Sequence, residues 1–258
     1  MSLNKILELN KESVISIIGA GGKTTLMYLL GKELKVENKV LITTTTKIYK
    51  PTSNEVDFLT VGNESLDVIK SSNINGIYGY GSFINEDNKL IGVNPELLEK
   101  EFIYFDYIII EADGSNRKSI KGWKDSEPII CNKTNKTIGI VSIDILGKEV
   151  NENNVHRVNE FNIITKAKVG DIITVENIIN IVFHKDGLFK KSKGENILFI
   201  NKIDTYEDYR DSLALLESIK ENNKKSKIIN KIIYGSLKNR IYKEIKSGKC
   251  NNNGIWGK

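Results

Sequence analysis

The residues best equipped for chemistry come early in the chain. Val14-Ile15-Ser16-Ile17-Ile18 runs straight into Gly19-Ala20-Gly21-Gly22-Lys23-Thr24-Thr25. Glycines let a backbone turn tightly and aim several N–H groups at one point. A helix starting directly afterwards adds the positive end of its dipole, which favours phosphate. Lys23 brings a charge that can reach β- and γ-phosphates, and the Thr24 hydroxyl is placed to bind Mg²⁺. The eight-residue phosphate-loop pattern has glycine where this chain has Ile17, so the turn is a shortened variant, Gly-x-x-Gly-Lys-Thr-Thr. Its expected ligand is a nucleoside triphosphate, held by Gly19 through Thr25.

A second cluster lies at Tyr107-Ile108-Ile109-Ile110-Glu111-Ala112-Asp113-Gly114, where an apolar run ends in two carboxylates two residues apart. In extended backbone both would face one side. Two such acids resist joint ionisation unless a cation or a shared proton separates them. A Mg²⁺ ion between phosphates, Thr24 and these acids resolves the conflict. Either Glu111 holds the metal while Asp113 positions water or an outer ligand, or the roles are reversed. Lys23, Glu111 and Asp113 are therefore the expected catalytic group, with Thr24, Glu111 and Asp113 the expected metal group.

The third cluster follows Ile197-Leu198-Phe199-Ile200 as Asn201-Lys202-Ile203-Asp204. An Asn-Lys-x-Asp run at a strand end can read guanine: Asp204 accepts two hydrogen bonds from the base edge, the Lys202 stem covers the base face, and Asn201 ties this loop to the phosphate loop. Such a site rejects adenine, because the wrong base leaves polar groups unpaired. Other Asn-Lys pairs begin at Asn4, Asn10, Asn38, Asn88, Asn132, Asn135, Asn223 and Asn230, and none has Asp three places after the Asn. GTP is expected over ATP on this pattern. Tyr234-Gly235-Ser236 is a weaker candidate for a second base-contacting loop.

Elements that would position these groups are legible in the apolar pattern. Strands are expected at Val14–Ile18, Val40–Thr43, Tyr107–Ile110, Ile138–Val141, Ile197–Ile200 and Ile228–Tyr234. Helical spacing appears over Thr24–Leu34, Glu176–Phe183 and Glu207–Lys220. Continuous apolar strands alternating with helices predict an α/β fold, a mostly parallel sheet flanked by helices in a P-loop NTPase-like three-layer architecture. Ligands of such sheets bind beyond the carboxyl ends of the strands. With no internal repeat and no Pro- or Gly-rich linker, one domain over residues 1–258 is expected.

Composition removes several classes. The 258 residues carry 38 Lys and Arg against 33 Asp and Glu, a net charge of +5. The lysines are spread along the chain, with Lys220–Lys258 the most basic stretch, so a solvated surface is expected there and no nucleic-acid partner. No apolar run approaches the roughly 18–20 residues that span a bilayer, and Met1–Lys5 opens no signal-peptide core, so no membrane partner is expected. Cys131 and Cys250 are too few for a disulfide framework and point to a reducing cytoplasm. With only His156 and His184 beside them, a Cys/His zinc site is not expected.

Taken together, these residues resemble the YqeC family, accessory proteins for selenium-dependent molybdenum hydroxylases. The likeness runs from about Ser13 to Asp204 and includes Gly19–Thr25, Thr43-Thr44-Thr45-Thr46, Glu111-Ala112-Asp113-Gly114-Ser115 and Lys121. It continues through Glu127-Pro128, Asp144-Ile145-Leu146-Gly147, Val155-His156-Arg157 and Asn201–Asp204. The resemblance implies an NTP-binding factor in the maturation of a molybdenum- and selenium-containing enzyme, with that hydroxylase or its cofactor-assembly proteins as partner. It also implies a metal-binding role for Glu111, by analogy with related nickel-chaperone GTPases. The chain departs from the family pattern at Lys121-Gly122-Trp123 and Ser126-Glu127-Pro128, where Lys-Ala-Pro and His-Glu-Pro are usual.

Several residues keep two readings each. Asn116–Lys124, with Arg117, Lys118, Lys121 and Lys124, is a lid over an anionic ligand or a solvated loop. Thr43–Thr46 is good strand material, yet Thr45 or Thr46 could also offer a hydroxyl to Mg²⁺, a γ-phosphate or an oxyanion. His156 suits a surface hydrogen bond or catalysis, and Arg157 could lend charge to phosphoryl transfer. The leading function is a Mg²⁺-dependent NTPase, with GTP preferred, that gates a maturation step. The alternatives are an ATP-dependent kinase or ligase for a small molecule, and a non-catalytic nucleotide-dependent binding module.

Overall fold

The apolar runs form the inner strands of one sheet, because residues buried on both faces favour parallel pairing under helices. The computed structural model describes residues 1–62 and 72–245. Its strands are β1 (Ser13–Gly19), β2 (Lys39–Thr44), β3 (Lys47–Tyr49), β4 (Phe58–Val61), β5 (Gly76–Gly81), β6 (Phe83–Ile84), β7 (Lys89–Ile91) and β8 (Tyr107–Glu111). They continue with β9 (Ile120–Lys121), β10 (Lys136–Ser142), β11 (Val155–His156), β12 (Glu195–Asn201), β13 (Lys231–Ser236) and β14 (Ile241–Glu244). The helices are α1 (Leu3–Ile6), α2 (Lys23–Leu34), α3 (Pro95–Glu101), α4 (Val158–Thr165), α5 (Val175–Phe183) and α6 (Tyr206–Ser226).

Nine strands form the main sheet in the order β14-β13-β12-β10-β1-β8-β2-β5-β4. Every pairing in it is parallel except the edge pair β13–β14. On one face, Leu26, Met27, Leu30 and Leu34 of α2 pack over Ile15, Ile17, Ile42 and Ile109. On the other, α4, α5 and α6 bring Phe161, Ile164, Ile178, Ile181, Leu215 and Ile219 onto Ile18, Val141, Leu198 and Ile200. Each such Leu, Ile or Phe contributes about 1.5–3 kcal/mol by leaving water. This is the three-layer α/β arrangement expected from the strand and helix pattern. Among the described residues, no helix is long and apolar enough to cross a membrane.

Strand and helix bounds match expectation within a few residues, and the differences have local causes. Helix α6 starts one residue early under a capping box, in which Thr205 and Asp208 satisfy each other's backbone N–H groups. It runs to Ser226 and ends on Lys227 in the left-handed region. The last parallel strand then begins at Lys231 rather than Ile228, since Ile228–Asn230 connect: the Ile228 carbonyl and the Asn230 side chain both bond Asn196. Strands β4 and β5 carry no clear sequence signal, because Gly76, Gly79 and Gly81 have low strand propensity. Tertiary packing overrides this. Tyr78 stacks on Phe58 at 4.7 Å, and a Cβ on Gly79 would meet Leu59 at 3.1 Å.

Candidate functional site

The carboxyl ends of the central strands converge on one cleft of about 690 Å³. The turn after β1, Glu111 at the end of β8, Thr46 beyond β2 and Asn201 at the end of β12 all line it. Parallel order puts these chain-distant groups on a single edge.

Gly21 and Gly22 must be glycine for two reasons. Their φ values are +86° and +145°, which L side chains rarely adopt. A Cβ on Gly21 would also lie 2.2 Å from Ser142 Oγ, and one on Gly22 would lie 2.4 Å from Asn201 Nδ2. Helix α2 starts at once, with Gly22 as N-cap and no side chain capping its first N–H groups. Those donors face the cleft end of a dipole suited to an anion.

Lys23 is buried, and its ammonium donates to the Gly19 carbonyl at 2.7 Å. It lies 3.2 Å from Asp113 Oδ1 and 3.7 Å from Glu111 Oε1. The Thr24 hydroxyl donates to Glu111 Oε2 at 2.7 Å. The two carboxylates expected to share one role therefore divide. Glu111 lines the cleft beside Lys23 and Thr24. Asp113 is fully buried, and its Oδ2 accepts from Gly19 N–H (3.0 Å), Trp123 Nε1 (2.8 Å) and Lys121 Nζ (3.1 Å). Their titration divides likewise. Burial raises the Glu111 carboxyl above its ordinary value despite Lys23 and the Thr24 hydroxyl. For Asp113 burial also pushes upward, but Lys23, Lys121 and the Gly19 and Trp123 donors outweigh it and hold the carboxyl low.

Behind Asp113 the pairing continues. Lys121 is itself buried and also contacts Glu127 Oε2 at 3.2 Å, and Glu127 takes a two-pronged grip from Arg157. The result is an alternating series, Arg157–Glu127–Lys121–Asp113–Lys23–Glu111. A two-stranded parallel pair, β9 with β11, sets His156 opposite Lys121. Asp113 and Lys121 stand out in the sequence, but Glu127 and Trp123 do not as their partners, since nothing local in the chain signals that contact. Lys121 is accordingly part of the buried scaffold and not of a lid.

The Asn201–Asp204 run sits beside the glycine turn. Asn201 Nδ2 donates to the Gly21 carbonyl at 2.8 Å, and its Oδ1 accepts the Leu237 N–H at 3.1 Å. Lys202 has a φ of +63°, and its ammonium bonds Ser119 Oγ and Asp144 Oδ2. Asp204 lines the cleft, with Oδ1 accepting from Ser236 Oγ at the end of β13. The Asn201–Asp204 run and the β13 end thus meet.

Of the four threonines, three spend their hydroxyls on backbone. Thr43 donates to the Tyr80 carbonyl, Thr44 to that of Glu111 and Thr45 to that of Ile129. Only Thr46 of the four lines the cleft. Cys131 is buried, and Cys250 lies outside the described residues.

A mostly parallel three-layer α/β sheet, with a glycine turn, a lysine and an acidic strand end gathered in a cleft at its carboxyl edge, defines the class of α/β protein. The comparisons narrow this further. The family model described as "YqeC protein" matches residues 15–159. The "Uncharacterized protein YqeC" of Escherichia coli (strain K12) is 30% identical over 219 residues, 83% of this chain and 85% of that protein. No solved structure matches the chain. The chain belongs to the YqeC family.

Proposed function

We propose that this chain binds a magnesium-complexed nucleoside triphosphate, GTP in preference to ATP, and hydrolyses it as an accessory factor in maturing a selenium-dependent molybdenum hydroxylase. One observation carries the nucleotide reading: the glycine turn opens a helix whose first two residues, Lys23 and Thr24, both contact Glu111 on a cleft floor. The hydroxylase partner rests on the family resemblance.

The donor set fits Mg²⁺. Thr24 and Glu111 offer hard oxygens 2.7 Å apart, and Mg²⁺ takes few protein ligands beside phosphate oxygens and water. Thr24 and Glu111 would hold such an ion, which would supply positive charge beside the triphosphate. Gly21 and Gly22 hold the positive φ that lets a tight turn aim successive backbone N–H groups at one point, where phosphate oxygens would accept from them. Lys23, held by Gly19, Asp113 and Glu111, can exchange one carboxylate for a phosphate oxygen while Asp113 keeps its base in place. Asp113 acts in this reading as the positioning residue, and Glu111 as the ligand. Asp204, pinned through Oδ1 by Ser236, presents its carboxylate to the guanine edge.

Equilibrium binding of fluorescent GTP and ATP analogues, with and without Mg²⁺, tests this. Wild type should bind the GTP analogue more tightly, Lys23→Ala should lose binding to both, and Asp204→Asn should lose the base preference by roughly tenfold or more. Absence of binding to wild type overturns the nucleotide reading; an unchanged preference in Asp204→Asn overturns guanine alone. GTP turnover equal to that of Lys23→Ala would reduce the protein to a binding module.

A further inference from the structure

The cleft extends in two directions from the glycine turn. Along the carboxyl edge the strands run β13, β12, β10, β1, β8, β2. Asn201 and Asp204 lie on the β12 side, about 10 Å or two strand spacings from β1. The cleft continues the opposite way, past Glu111, to Thr46 and Lys47 beyond β2.

That far half is cationic. Lys47 and Tyr49 of β3, Lys89 of β7, and Arg117 and Lys118 of the turn after Gly114 wall it. Among the described residues, no carboxylate lies within 4.0 Å of Lys47, Arg117 or Lys118. The two acids bordering this half are engaged: Glu111 by Lys23 and Thr24, Glu127 by Lys121 and Arg157. The wall is also built rather than loose. Asn116 and Arg117 are consecutive left-handed residues, with φ of +48° and +60°, a conformation uncommon for arginine and one that needs holding in place. The constraint is visible: the Arg117 guanidinium stacks on the Tyr49 ring at 4.2 Å, and Lys118 N–H closes the turn onto the Ser115 carbonyl. The guanidinium N–H donors have no hydrogen-bond or carboxylate partner in the protein among the described residues. A fork of donors held this way suits the oxygens of an oxyanion.

We propose that this half of the cleft is a second-ligand subsite for a small molecule bearing an oxyanion group, a phosphate, phosphoester or carboxylate, met by Lys47, Arg117 and Lys118. The proposal rests on the nucleotide reading for its neighbour, since the second ligand would then lie on the Glu111 side of the bound phosphates. It makes the protein a two-ligand device and not a nucleotide switch alone.

Calorimetric titration tests it. Nucleotide affinity is measured first. Inorganic phosphate, phenyl phosphate and benzoate are then titrated into protein saturated with Mg²⁺ and a non-hydrolysable GTP analogue. At least one should bind the saturated protein, and the arm that binds identifies the oxyanion's source. The double variant Arg117→Ala/Lys118→Ala should weaken that binding about tenfold or more, while its nucleotide affinity stays within about threefold of wild type. Failure of all three probes to bind, equal binding by the double variant, or displacement of the nucleotide by the probe overturns the subsite. If nucleotide itself does not bind, the titration is run on the free protein. Probe binding lost in the double variant but kept in Lys23→Ala upholds the subsite while the nucleotide reading falls; loss in both variants, or in neither, overturns it.

Discussion

Asn201, the last residue of β12, donates its side-chain amide to the Gly21 carbonyl at 2.8 Å, across 180 positions of sequence. Its carbonyl oxygen meanwhile accepts the Leu237 N–H, so one buried side chain joins the glycine turn to the loop after β13. A side chain that satisfies two backbone groups holds two loops in register.

Replacing Asn201 by Ala should strand the buried Leu237 N–H and free the Gly21 carbonyl. Loss of buried partners of this kind costs about 1–3 kcal/mol. Urea unfolding should register that loss, and nucleotide-analogue binding should weaken in parallel. A variant with wild-type stability would show that the two loops hold their places independently.

Lys121 should be far less replaceable than an exposed lysine. It is 1% exposed and bonds Asp113, Glu127 and the Gly114 carbonyl. Lys121→Met would leave two carboxylates facing each other without their shared cation, a loss on the order of 3–5 kcal/mol. Thermal and urea unfolding of that variant measures it. The exposed Lys50→Met, by contrast, should stay within about 0.5 kcal/mol of wild type.

His156 gives the stability a pH slope. Burial, then the charges of Lys121 and Arg157, lower its pKa from 6.5 to about 4, against an opposing pull from Glu127. The unfolded chain therefore takes up a proton near pH 6.5 that the folded chain refuses until about pH 4. Stability is complete above pH 6.5 and falls as the pH drops through that window. His156→Gln should flatten the dependence between those limits, read as urea midpoints at several pH values; an unchanged slope would assign it to other groups. Asp113 and Glu127, both held low, add a further loss as the pH falls through and below the ordinary carboxylate range.

Cys131 should be chemically silent in the folded protein. It is fully buried, and burial together with Glu99 raises its thiol pKa to about 12. Thiolate is the reactive form. Peptide mapping after iodoacetamide should find Cys131 unmodified in native protein and modified in urea. Labelling at equal rates in both would contradict the packing beneath α3.

Much of the fold could be read from the chain because its signals are local. An apolar run such as Ile197–Ile200 or Ile138–Val141 has one good fate, a strand buried on both faces. The same holds for the glycine turn, where Gly21 and Gly22 sit at left-handed φ in a strand-to-helix context. Strand β5 was not legible, since its glycines oppose strand formation and only Leu59, Val56 and Phe58 across the pairing make it one.

Types and spacing alone brought Lys23, Thr24, Glu111, Asp113 and the Asn201–Asp204 run forward as one constellation, because each motif sits at the end of its own apolar strand. The separation of the two acids was decided elsewhere. Glu111 and Asp113 are two residues apart and chemically alike, yet Trp123, Lys121 and the Gly19 N–H reach only Asp113. Those donors come from a turn and a two-stranded pair whose place depends on the whole sheet. The cationic wall at Arg117 likewise exists only where β3 brings Tyr49 beneath it. Local backbone preference determined the strands and turns; the environment that divides their side chains between scaffold and cleft came from packing between elements far apart in the chain.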